Sequence, residues 1–245
     1  MRPPASLAPR LAALADLPVN YDPAQLDLDN PPPAWTVDDH RQPLPGEPPG
    51  GPVAGGPWEI ASRLIRGYDF ADPSLVRAFY DPDAPLQGRD MLLQLRALGV
   101  VKTYVGVRVS RVWDEILTRD GRDARVFGWA YRTLEGHVEQ GQMGWQVWKW
   151  LDNGDVEFRS HAVSRTASIS NPVIWIGFHL LKGYERKLYL NSTDRRMREL
   201  TARALAEGSA ADAVRAISPE LTARGGAEQD DAHEELAARL ESEES

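Results

Sequence analysis

The chain contains no cysteine. Disulfides, thiolate nucleophiles and cysteine-held zinc are thereby excluded, which fits a reducing compartment. No apolar run is long enough to span a bilayer; the longest, Val173 to Leu181, is interrupted by His179. The opening residues, broken by proline and aspartate, lack the charged, apolar, small order of a secretory leader. A soluble, cytoplasmic chain is the expectation. There is no GxSxG elbow, no GxxxxGKS or GxxxxGKT phosphate loop, and no GxGxxG following a strand. The five histidines, at 40, 137, 161, 179 and 233, lack the paired helical spacing of zinc motifs. No metal or cofactor is therefore expected.

Positive charge is not in excess either. The net charge is −8, and from Glu207 onward eleven acidic residues face only Arg215, Arg224 and Arg239, so the first 206 residues balance 25 acidic against 25 basic groups. A neutral body with an acidic tail argues against broad nucleic-acid binding, and no nucleic-acid partner is expected. One local basic patch remains, formed by Arg186, Lys187, Arg195, Arg196 and Arg198 towards the end of a long helix, where the helix dipole favours cations.

What the chain does have is concentrated between Ala124 and Lys187, where five of the eight tryptophans fall. Residues 125 to 133 alternate so that Phe127, Trp129 and Tyr131 share one face, as in a strand with one buried side. Residues 143 to 151 repeat the pattern, with Trp145, Val147 and Leu151 opposed to Trp148 and Trp150. Asp152-Asn153-Gly154-Asp155 supplies a turn, and a third strand returns from Val156 to Arg165. Asn171 and Pro172 then form a helix cap and first turn, and apolar residues at 173, 176, 180, 181, 184 and 188 follow helical spacing. The helix is expected to lie across the concave side of an antiparallel meander and to end near Gly208.

Upstream, residues 1 to 57 hold 14 of the 19 prolines. Such a segment favours polyproline II, and little sheet or helix is expected beyond a short helix up to Leu17 with Pro9 in its first turn. It reads as a flexible arm or, with Tyr21, Leu26, Leu28 and Trp35 as anchors, as a strap around the body or a second subunit. Trp58 to Tyr80 reads as two short helices parted at residues 68 to 70, the second capped by Asp72 and Pro73; a strand over Ser62 to Phe70 is the alternative. Strands follow at MLLQLRALG and VKTYVGVRVSRVWDEI, and Arg119 to Arg122 is a tight turn. Three parts are therefore expected: a proline-rich arm over 1–57, an α+β domain over 58–206 and an acidic, partly disordered tail over 207–245.

The chemistry-bearing stretch is Tyr131 to Gln142, where a glycine-containing connection carries His137 and Glu139. Two residues apart in extended backbone, they face one side, so imidazole and carboxylate would suit general acid–base work. The plainer reading is a solvated loop histidine. A second polar row, Glu157, Arg159, His161 and Arg165, reads as a solvated sheet face, with Phe158, Ser160, Ala162 and Ser164 on the covered one.

Tyr131, Thr133, Leu134, Gly136, His137, Glu139 and Gly141, then Val156, Phe158, Ala162, Ser164 and Arg165, resemble the gapped motifs of the domain-of-unknown-function family nineteen-ninety. Gln142 stands where glutamate is usual and Thr166 where proline is commoner. The resemblance covers roughly residues 90 to 190. It implies a helix-grip fold, START-like or Bet v 1-like within the SRPBCC superfamily, a curved antiparallel sheet wrapped around a long C-terminal helix, of the kind that encloses an apolar cavity. It carries over no catalytic residue.

Three functional expectations follow. The first is a binding protein for a small hydrophobic, lipid- or polyketide-like molecule, with Trp129, Tyr131, Thr133, Trp145, Phe158, Ser164 and Trp175 as ligand-binding residues and His137 and Glu139 near the mouth. The second is a cyclase, hydratase or hydrolase using His137 and Glu139 as catalytic residues. The third is an interaction scaffold whose arm and tail dock partners, including a homodimer formed through the arm. A membrane-surface variant rests on Trp175, Phe178, Lys182, Arg186 and Tyr189.

Overall fold

The computed structural model describes residues 1–97, 101–167 and 172–208, with side chains throughout except at 97, 101 and 172–186. The acidic tail beyond Gly208, the helix cap Asn171 and the side chains of Trp175, Phe178, Lys182 and Arg186 lie outside the described residues.

The strands are β1 (Thr36–Leu44), β2 (Val76–Phe79), β3 (Asp90–Ala97), β4 (Val101–Arg119), β5 (Arg122–Thr133), β6 (Glu139–Trp150) and β7 (Val156–Thr166). The helices are α1 (Ala8–Ala12), α2 (Pro57–Gly67) and the 36-residue α3 (Pro172–Glu207). All strand pairs are antiparallel, in one seven-stranded sheet of order β1-β7-β6-β5-β4-β3-β2. A register shift between Val109 and Arg111 bends the long β4 where the sheet curves. The chain therefore has the expected helix-grip arrangement, with α2 and α3 on the concave face.

The hairpin turns follow from residues that accept positive φ. Asp120 and Gly121 sit at φ 54° and 74° between β4 and β5. Gly154, at φ 79° between β6 and β7, lies so close to the Glu47 carbonyl that a Cβ there would stand 1.9 Å from it. At the far end of α3, the Gly208 N–H closes the helix on the Ala204 carbonyl at 2.9 Å, as the sequence suggests.

Two expectations are corrected. Residues 1 to 57 are not poor in sheet, because Thr36–Leu44 pairs with β7 along its whole length, from Thr36 opposite Ser164 to Leu44 opposite Val156. Pro43 is tolerated there because β1 is an edge strand and needs no ladder donor on its open side. The second short helix after Asp72 is instead the strand β2, pairing Val76–Phe79 with Leu95–Leu92. The Asp72 carboxylate caps only a turn, taking the Ser74 N–H at 2.8 Å and its hydroxyl at 2.7 Å. The stretch is too short to repay helix nucleation, and a neighbouring strand satisfies its backbone. The alternative strand over Ser62 to Phe70 is not formed, and its first part, to Gly67, is helical.

The N-terminal segment runs over the convex face. Leu14 is buried there with Phe79, Leu92 and Leu134, and Arg108 donates to the Leu14 carbonyl at 2.7 Å while its Nε pairs with Asp90 at 2.6 Å. On the concave face, α2 buries Trp58, Ile60, Ala61, Leu64 and Ile65. The Trp58 indole N–H reaches the Arg125 and Val147 carbonyls at 3.1 and 3.2 Å, and the Trp129 indole reaches the Ile65 carbonyl at 2.8 Å. The second half of α3 adds Met197, Leu200 and Ala204 to this core. Arg196 clamps the chain after α2, its Nε 3.0 Å from the Phe70 carbonyl.

A fully buried ion pair closes the same end. Lys149 Nζ lies 2.6 Å from Glu47 Oε2, with exposures of 0% and 1%, and also donates to the Pro48 and Gly51 carbonyls at 3.0 and 2.9 Å. Glu47 in turn accepts the N–H groups of Val53 at 2.9 Å and Trp58 at 2.8 Å. The proline- and glycine-rich loop is thereby folded around one ammonium group, with three donors on the carboxylate.

Candidate functional site

The register places the inner-facing residues in rows across β5, β6, β7 and β1. Successive rows are Phe127, Val147, Phe158, Gln42; then Trp129, Trp145, Ser160, His40; then Tyr131, Met143, Ala162, Asp38; then Thr133, Gly141, Ser164, Thr36. The first two rows are packed. Trp129 and Trp145 meet edge-to-face at 5.0 Å, Phe70 lies 5.2 Å from Trp145 and 5.8 Å from Phe158, and all are buried. The last two rows, Thr36 apart, instead border a cavity of about 180 Å³, shared with Leu75, Leu93 and Leu95 from one wall and Tyr68, Tyr189 and Leu190 from the other. Half-exposed Asp38, Val138 and Glu139 mark its mouth.

Of the residues expected from sequence, Tyr131, Thr133, His137, Glu139 and Ser164 border this cavity. Trp129, Trp145 and Phe158, also expected on the ligand wall, do not border it. They belong to the core cluster under α2, because the largest rings fill the space that a covering helix leaves between itself and the sheet. The side chain of Trp175 lies outside the described residues. Tyr68, Tyr189, Met143 and Asp38 were not anticipated. The only signal for Tyr68 is Gly67-Tyr68-Asp69 after a helical run, which reads equally as a plain breaker.

The β5–β6 connection explains most of the gapped motif locally. Leu134 is fully buried on the convex face beneath Leu14. Gly136 takes φ 84° in the turn, and the His137 N–H closes on the Leu134 carbonyl at 3.1 Å. Thr133 Oγ1 accepts the Gly141 N–H at 2.9 Å and donates to Asn20 Oδ1 at 2.6 Å. A side chain at Gly141 would meet the Val163 carbonyl at 2.2 Å, so glycine is required. Asn20 completes the knot: its Nδ2 donates to the Glu139 carbonyl at 2.9 Å and its own carbonyl accepts the Gln140 amide at 2.5 Å. A residue of the N-terminal strap therefore holds both ends of the hairpin that carries His137. Nothing near Asn20 in the sequence signals this, since its partners lie more than 110 positions away.

His137 is not a solvated loop residue; it is 8% exposed. Its Nδ1 accepts the Glu139 N–H at 2.9 Å, so the neutral ring carries its proton on Nε2. Burial pulls its pKa down to about 4, against the opposing influence of the Glu139 carboxylate and backbone. The hydrogen bond of the imidazole Nδ1 runs to the Glu139 main-chain N–H at 2.9 Å, and a Glu139 carboxylate oxygen lies 3.4 Å from Ser164 Oγ. The ring is thus neutral at physiological pH.

On the opposite wall, Tyr68 takes φ 60° and ψ 25° at the end of α2. That left-handed conformation costs a bulky residue about 1–2 kcal/mol. The ring packs 5.9 Å from Trp129 and 5.3 Å from Trp145, and its hydroxyl lies 3.0 Å from that of Tyr189 on α3. Burial pushes the pKa of Tyr68 well up and that of Tyr189 to about 12.

Among the described residues no group of acidic and histidine side chains is arranged to hold a metal. The sequence profile of the Domain of unknown function (DUF1990) matches residues 20–188, more than half of the chain. The chain belongs to this family. The DUF1990 match begins at Asn20, the strap residue that ties the hairpin, and reaches into the middle of α3. No curated protein matches the sequence. Similar solved structures include a Thalictrum norcoclaurine synthase point mutant in complex with a transition-state analogue, at 10% identity and TM-score 0.44, covering 69% of this chain and 95% of that one. The protein TTHA0849 of Thermus thermophilus is similar at 12% identity and TM-score 0.41, covering 69% and 98%. Human STARD10 is similar at 10% identity and TM-score 0.34, covering 83% of each chain.

Proposed function

We propose that the protein binds a small hydrophobic molecule between the open half of the sheet and α3. The observation that carries this reading is the cavity of about 180 Å³ directly beside a densely packed aromatic core. Protein interiors leave few voids larger than a water molecule. The backbone does not force the space to stay open, because Ala162 faces it and a larger residue there would fill it. Apolar walls from Leu93, Leu95 and Met143, with few polar groups, suit an apolar ligand body. His137 Nε2–H serves as a neutral donor near the mouth. The depressed pKa and the main-chain partner of His137 favour this role over acid–base catalysis.

Native mass spectrometry of gently purified protein, followed by denaturing extraction, tests the reading. A discrete added mass that is released as a small apolar compound is the expected result. Protein at the bare polypeptide mass, with no response to added hydrophobic compounds, would count decisively against it.

A further inference from the structure

We propose that the convex face of the sheet carries a docking seat for the chain's own acidic segment, residues 228–245. The seat lies on the side of the sheet opposite the cavity, and the proposal is independent of the ligand reading.

The convex face is apolar in two places. Over the first, the N-terminal segment packs Leu11, Leu14 and Leu17 against Phe79, Leu92 and Leu134. The second lies on β4, β5 and β6, where Ala124, Val126 and Trp148 are buried and Trp113, Leu117 and Trp150 pack against them half-buried. Every member of this second cluster comes from the sheet itself.

Arginines frame it. Arg111 lies 4.8 Å from the Trp113 ring, Arg122 lies 4.4 Å from that of Trp150 and Arg159 lies 3.9 Å from that of Trp148. Strand alternation puts Arg119 on the same face, two residues beyond Leu117. Carboxylates answer part of this charge. Glu157 pairs with Arg159 at 2.5 Å and Asp152 with Arg122 at 2.6 Å, and exposed Glu115 shares the face of β4. Arg111 and Arg119 are exposed and form no ion pair among the described residues. They stand on either side of a floor of Trp113 and Leu117.

Residues 228–245 carry the complement. Eight acidic residues there stand against Arg239 alone, a net charge of −7. Ala232, Leu236 and Leu240 recur at helical spacing, so the segment reads as apolar on one side and acidic on the others. The apolar side would meet Trp113, Leu117 and Trp150, and the carboxylates Arg111 and Arg119. Reach is ample. The 19 residues between Gly208 and Glu228 extend to about 65 Å, against a breadth of about 40 Å for a domain of this size. Tethering holds the segment at an effective concentration on the order of mM, ahead of a free acidic partner. A second copy presenting the same face would set arginine against arginine. Exposed ion pairs are individually weak, so the seat holds the segment reversibly and in a salt-dependent way.

The chain has no cysteine, so Ser242→Cys supplies a single thiol for a nitroxide label. Indole N–H signals of the nitrogen-15-labelled full chain are then compared with the label oxidised and reduced. The signals of Trp113 and Trp150 are expected to lose most of their intensity, and those of Trp129 and Trp145, on the concave face, much less. Salt at about 1 M, where the Debye length is about 3 Å, should restore the first pair, as should Arg111→Glu combined with Arg119→Glu. No loss at Trp113 and Trp150, equal loss at all four indoles, or a loss that salt leaves untouched overturns the proposal. So does the same loss in nitrogen-15-labelled chain without the cysteine, mixed with unlabelled chain carrying the nitroxide, because the segment then sits on a second copy.

Discussion

Along β5 and β6 the inner face of the sheet runs from Phe127 and Val147, through Trp129 and Trp145, to Tyr131 and Met143, and α2 covers only the first part of this course. Where α2 lies, the Trp58 and Trp129 indole N–H groups are spent on the Arg125, Val147 and Ile65 carbonyls and the rings interlock. Where α2 stops, at Tyr68, the same two strands border open space. The strands alternate alike in both halves, so the difference does not lie in them. It lies in the length of an 11-residue helix and in the residue that ends it. Indole and phenyl rings mark the filled half, and beside Tyr131 the sheet side of the hollow half is built from medium-sized and small side chains, Met143, Ala162, Thr133 and Ser164.

The contrast is most sharply broken at the packed end. Lys149→Met leaves Glu47 buried without its counter-ion, and a loss of about 3–5 kcal/mol is expected in urea denaturation. Glu47→Gln combined with Lys149→Met should recover a large part of that loss, because no uncompensated charge remains. A result in which the single and double variants are equally destabilised would mean that the loop, and not the charge pair, carries the stability.

Acid probes the rim of the hollow half. The folded-state pKa of His137 is about 4, against an ordinary value near 6.5. Between these values the unfolded chain binds the extra proton, so stability rises with pH across the window and is level above it. The contribution lost on acidification to pH 4 is about 3 kcal/mol. Carboxylates titrate in the same range, Asp69 and Asp194 among them with pKa values raised by burial. The quantity to measure is therefore the difference between wild type and His137→Gln at each pH, and a difference that does not vary from pH 4 to 7 would show that the ring is not held neutral by burial.

The smallest effect on stability is expected in the hollow half itself. Ala162→Leu adds atoms where there is room, so its midpoint should change by no more than about 1 kcal/mol, while any co-purifying molecule is lost. A large destabilisation at this position would mean that the two halves are packed alike.

Much of the architecture is written in local pattern. Phe127, Trp129 and Tyr131 alternate cleanly, and turns such as Asp120-Gly121 and the segment around Gly154 carry residues suited to positive φ. The pattern fails where a neighbour distant in sequence decides. Thr36–Leu44 sits in proline-rich surroundings and becomes a strand only because β7 is there to pair with it. Val76–Phe79 has no period long enough to separate helix from strand. At the site, the spacing of His137 and Glu139 is real, but which atoms meet is set by Asn20 and Thr133 through contacts that cross more than a hundred residues. The tryptophans mislead for a related reason: side-chain size reports burial and does not distinguish a core from a wall.

The edge formed by β1 has a consequence for how copies of this chain meet. A strand with a free side is a template on which a second molecule can extend the sheet, and unchecked templating leads to fibrils. Along Thr36–Leu44 such a newcomer would meet Asp38, Asp39 and Arg41 and then Pro43, which has no N–H to offer. The proline that makes this strand hard to recognise in the sequence is thus also a guard against runaway polymerisation.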